Sequence, residues 1–70
     1  MIRQVFMSTQ AARLAELRKQ LEGLLRFERT AAAVGMSMSE RIEILTQIRH
    51  TEGAIEAVKA MLTRYYGRPV

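Results

Sequence analysis

His50 is the one histidine in the chain, and four residues to either side of it stand Thr46 and Ala54. A metal held on one helix face needs a second ligand at that spacing, and none is there. His50 therefore reads as a solvated or helix-capping imidazole. The carboxylates are all glutamate: Glu16, Glu22, Glu28, Glu40, Glu43, Glu52 and Glu56. Glu52 and Glu56 share a helix face, as paired carboxylates for acid–base work would. Arg49 and Lys59 sit three residues to either side and make them ordinary surface pairs. Ser37 and Ser39 have no nearby base, and Gly23, Gly35, Gly53 and Gly67 are too dispersed to cradle a phosphate. With no cysteine there is no thiolate zinc site and no disulfide framework. The expectation is a protein that is not an enzyme and carries no cofactor and no metal.

The chemistry on offer is that of binding. The net charge is +4, from eleven basic and seven acidic residues, and the basic set is nine Arg against only Lys19 and Lys59. Arg forks suit bidentate contacts to carboxylate or phosphate, so a protein interface and a nucleic-acid backbone are both open. The charges do not form a stripe. Arg18, Glu22 and Arg26 alternate in sign, as do Arg49, Glu52, Glu56 and Lys59, the pattern of a solvated surface laced with pairs. At the chain ends, Ile2, Arg3, Val5 and Phe6 precede the main pattern and Arg64-Tyr65-Tyr66-Gly67-Arg68 follow it. Tyr and Arg favour protein-binding hot spots.

These residues must be positioned by two helices. Leu14, Leu17, Leu21, Leu24 and Ala31 step along a coiled-coil-like seam, with Glu28 in the slot between Leu24 and Ala31, and Leu25 and Ala32 widening it. The second seam runs Ile44, Ile48, Thr51, Ile55, Val58, Leu62 and Tyr65, flanked by Ile42, Leu45, Ala54 and Met61. Gly35 suits the left-handed residue that closes a helix, and Ser37-Met38-Ser39-Glu40 matches the S-x-x-E capping box. Ser8 or Thr9 is an acceptable N-cap for the first helix. The reading is a single all-α helical-hairpin domain: helix one over about 8–34, a turn at 35–37, helix two over about 38–66 and a short tail kept non-helical by Pro69. Residues 1–7 extend helix one or form an arm.

Such a turn makes the helices antiparallel neighbours. Leu24 then falls opposite Ile48, Leu21 near Thr51, Leu17 near Ile55 and Leu14 near Val58, with the flank of Leu25, Ala32, Ile42, Leu45, Ala54 and Met61 left in water. Each exposed Leu or Ile forgoes about 1.5–3 kcal/mol of burial, a large share of a domain's total of about 5–15 kcal/mol. A second copy, giving an antiparallel four-helix bundle with two-fold symmetry, is the expected remedy. Glu28 and Thr51 interrupt the seams and would fix register or oligomer state. Alternatively Glu28, with Arg26 and Arg29, is an exposed docking point. Gly23 and Gly53 each cost a helix interior about 1 kcal/mol against Ala. They either admit close helix approach in the dimer or a ligand-side groove, or are simply tolerated.

Local and overall resemblances follow from this pattern. Ala31 to Ile42 resembles the turn of a helix-turn-helix DNA reader, but Arg41 stands where the next apolar contact is due and both flanking helices are about twice too long. The same Gly-Met-Ser segment is similar to the inter-helix turn of ribbon-helix-helix repressors, whose strand has no counterpart in the helical pattern of Leu17 to Arg29. As a whole the architecture is similar to the Rop family, hairpin dimers that bind RNA hairpins. It is also similar to the hairpin co-chaperones of type III secretion needles and to short phage-encoded inhibitors of host regulators. Fold likeness does not transfer function.

No stretch approaches the roughly 18–20 apolar residues of a membrane span, and no signal peptide is read, so a cytoplasmic, membrane-independent protein is expected. The functional expectation is an interaction module that binds and modulates, inhibits or chaperones another protein. Arg3, Val5, Phe6, Arg64, Tyr65, Tyr66 and Arg68, brought to one end by the antiparallel hairpin, are its candidate docking residues. A nucleic-acid-binding regulator of Rop type is the alternative.

Overall fold

The computed structural model describes the backbone from Ile2 to Tyr66 and the side chains from Ser8 to Arg64. Two helices, α1 (Ile2–Ala33) and α2 (Met38–Tyr66), pack antiparallel as a hairpin. Between residues 2 and 66 there is no proline, and the helices are rich in Ala, Leu, Arg, Glu and Gln, all good helix formers. Propensity makes the helices possible, and their mutual packing makes them stable.

α1 begins six residues earlier than the cap at Ser8 led one to expect. A Ser or Thr can cap a helix, but it does not stop one. No Gly or Pro lies upstream, and Arg3, Gln4 and Met7 favour helix, so the first turn forms well before the cap residues. Residues 2–7 thus extend α1 rather than making an arm.

The turn follows the expected chemistry closely. Gly35 takes φ of 79°, where a side chain would be strained. The Met36 amide donates to the Ala31 carbonyl at 2.9 Å and the Gly35 amide to the Ala32 carbonyl at 3.1 Å. These are the two bonds of a Schellman motif, which satisfy carbonyls that the helix end would orphan. One arm of the capping box forms, with the Glu40 amide donating to Ser37 Oγ at 3.3 Å.

The core is narrow and lies away from the turn. Leu14, Ile55, Val58 and Leu62 form one buried cluster, with Leu17 and Leu21 half-buried against it. Ala31 and Ile48 are also buried, while Leu24 and Ile44 are half-buried. The molecule is a rod of 50 × 16 × 15 Å, and its radius of gyration, 15.4 Å, well exceeds the about 11 Å of a compact 70-residue domain. Among the described residues, no helix is long and apolar enough to cross a membrane.

Candidate interaction surface

The seam changes character near the turn. Glu28, which occupies a core slot in α1, accepts from Arg41 of α2: Arg41 Nε donates to Oε1 at 3.0 Å, and Nη2 donates to the same oxygen. Both side chains are largely covered. Glu28 is therefore a cross-helix ion-pair partner, and the reading of it as an exposed docking point with Arg26 and Arg29 is corrected. Arg26 is engaged elsewhere, with Glu22 at 2.9 Å. Thr51, the other interruption, satisfies itself by donating to the Gln47 carbonyl at 2.8 Å. Register is marked by Glu28 alone.

Among the described residues, the exposed large hydrophobics are concentrated on the turn half of the rod. Leu25, Phe27, Val34, Met38, Ile42 and Leu45 are between 36% and 73% exposed, and all fall within residues 25–45. The buried Leu14, Ile55, Val58 and Leu62 occupy the other half. The pair of Glu28 and Arg41 sits in the seam where further apolar side chains would have closed a core.

Helix periodicity sorts the exposed residues onto faces. At 3.6 residues per turn, Leu25 and Ala32 lie to one side of the α1 seam and Leu45 lies on the same side of the hairpin from α2. Ile42, Leu45, Thr46 and Arg49 line a depression of about 270 Å³ running onto the outer side of α2. On the opposite face, Gln20, Gly23, Leu24 and Phe27 of α1 meet Gln47 and Thr51 of α2 in a shallow groove of about 470 Å³. Its floor is apolar and its rim is made of uncharged amides and a hydroxyl. Ala54 and Met61, expected to face water, are half-buried.

The expected flank at Leu25, Ala32, Ile42 and Leu45 does face solvent. Arg64 is exposed at the far end. The side chains of Arg3, Val5, Phe6, Tyr65 and Tyr66, and all of Arg68, lie outside the described residues. Phe27 and Arg41 were not singled out in the sequence as functional. The available signals were an aromatic well off the apolar seam, and an Arg one helical level from a seam Glu.

Among the described residues, no three His, Asp or Glu side chains gather closely enough to hold a metal ion. Lys59 approaches Glu56 at 3.6 Å as an i,i+3 surface pair, and among the described residues Glu52 has no ion pair. The chain matches no known protein family, curated protein or solved structure. The surface has to be understood from its own residues. Gly23 is informative in that respect, because a methyl added there would meet nothing within 4 Å. The hairpin itself does not require that glycine, and its absence of a side chain leaves the groove beside Phe27 open.

Proposed function

We propose that this chain is a small, non-enzymatic, cytoplasmic interaction module, a helical hairpin that works as a homodimer and binds another protein in order to modulate, inhibit or chaperone it. The observation that carries this reading is the turn half, with six large hydrophobics exposed within residues 25–45 on more than one face. A second copy can cover one face at most. The groove floored by Leu24 and Phe27 lies on the other side, and suits an apolar anchor from a partner helix, with Gln20 and Gln47 available to its backbone or polar rim.

The test is capture by tagged protein from lysate, with and without nuclease, at low and high salt, for wild type and for Phe27→Ser. A discrete protein retained through nuclease and high salt, and lost with Phe27→Ser while the helices stay folded, supports the reading. Capture of nucleic acid that disappears at high salt replaces it with the Rop-like alternative, because phosphate contacts are steeply salt-dependent.

A further inference from the structure

The geometry points to a second copy of this chain seated on the Leu25–Leu45 face, arranged so that both turns lie at the same end of a four-helix bundle. The inference rests on the dimeric reading above and adds the face, the orientation and the ion pairs that set it.

Area argues for the occupant. The chain exposes 5389 Å², whereas a compact protein of its 8.0 kDa exposes about 4,450 Å². The excess is close to the roughly 800 Å² that each partner contributes to a standard interface.

Charge complementarity argues for the orientation. With a two-fold axis along the rod, α1 stacks on the partner's α2 and every residue keeps its axial level. Glu28 and Arg41, in contact across the hairpin, mark which residues of α1 and α2 share a level. Moving away from the turn one helical step at a time brings Leu25 level with Leu45, Glu22 with Arg49 and Arg18 with Glu52, all on this one face. Across the interface Leu25 then meets the partner's Leu45, Glu22 meets the partner's Arg49 and Arg18 meets the partner's Glu52. Symmetry forms each pair twice. Among the described residues Arg18, Arg49 and Glu52 have no ion pair within the hairpin, and Glu22 pairs with the exposed Arg26.

The opposite orientation fails on the same residues. With turns at opposite ends, α1 stacks on α1 and α2 on α2. Arg18, near the middle of α1, approaches the partner's Arg18, and Glu52, near the middle of α2, approaches the partner's Glu52. Leu25 loses its apolar counterpart and comes level with the partner's Ala11. Like charges brought together across an interface disfavour it.

The test is sedimentation equilibrium on the full chain as wild type, Arg18→Glu, Glu52→Arg and the double variant, with helix content followed by circular dichroism. Both positions are exposed, so the variants keep the hairpin. Wild type is expected at twice 8.0 kDa, each single variant to dissociate about tenfold more readily, and the double variant to recover wild-type association. A spin label on Val34→Cys, at a position 73% exposed, is expected to report a label–label distance far below the 50 Å length of the rod. A dimer whose association Arg18→Glu and Glu52→Arg leave unchanged, as they would where each residue meets its own symmetry mate and one like-charge pair replaces another, one that the double variant fails to restore after the single variants weaken it, or one whose labels sit near 50 Å apart overturns the face and orientation while leaving the dimeric reading standing. A monomer at 0.1 mM, a concentration on the order of that at which even a weak dimer forms, overturns both.

Discussion

Arg41 reaches back across the hairpin from the first turns of α2 to bind one carboxylate oxygen of Glu28, which occupies a seam position of α1. The contact joins residues thirteen apart in sequence on opposite sides of the turn, so it holds the helices in one axial register. Among the described residues it also divides the rod: the buried apolar cluster lies on the side away from the turn, and the exposed large hydrophobics lie at its own level or nearer the turn.

Removing one partner of this pair leaves the other charge largely covered and unpaired. Glu28→Ala and Arg41→Ala are each expected to lower stability by about 1–2 kcal/mol, with a coupling of about 1 kcal/mol in a double-mutant cycle by urea denaturation. Additive effects would show that the pair contributes no coupling. An apolar replacement of both, Glu28→Leu with Arg41→Met, is expected to be neutral or stabilising.

Leu62 is 1% exposed and Leu45 36%. Leu62→Ala should cost about 2–4 kcal/mol from lost burial and the cavity left behind. In so narrow a core that is enough to abolish cooperative thermal unfolding by circular dichroism. Leu45→Ala should cost the isolated hairpin less than about 1 kcal/mol, with its larger effect appearing as lost association.

The glycines are expected to separate by sign. Gly35→Ala meets a φ of 79° and should destabilise by about 1 kcal/mol. Gly23→Ala and Gly53→Ala find open space and should each raise stability by about 0.5–1 kcal/mol, read as a higher melting temperature. If Gly23→Ala stabilises the helix yet weakens capture of the partner, the notch beside Phe27 is part of the binding groove.

Ser37 receives the Glu40 amide. Ser37→Ala should cost about 1 kcal/mol, and Ser37→Asp should retain the cap while adding a favourable charge at the α2 N-terminus. The measurement is the urea midpoint of each variant at constant slope.

The elements were legible because their signals are local. The apolar steps from Leu14 to Ala31 and from Ile44 to Tyr65, a left-handed Gly35 and a Ser37 cap each act within a turn or two of chain, and helix, turn and helix formed where those signals stand. The start of α1 was less legible, since Ser8 and Thr9 carry a cap's chemistry without any breaker to enforce it. The core residues Leu14, Ile48, Ile55, Val58 and Leu62 could be read in the same way, because burial in a two-helix hairpin follows periodicity.

What tertiary structure decided was which off-seam residues share a face and which seam residues need one another. Glu28 looked like an interruption by itself, and only the antiparallel register supplied Arg41. Leu25 and Phe27 are two residues apart, yet the hairpin sends them to opposite faces, where different neighbours from α2 turn one into part of a charged-and-apolar face and the other into the floor of a groove. Local sequence fixes the direction of each side chain about its own helix axis. The pairing of two axes decides what that side chain meets, and so which apolar surface the hairpin leaves open.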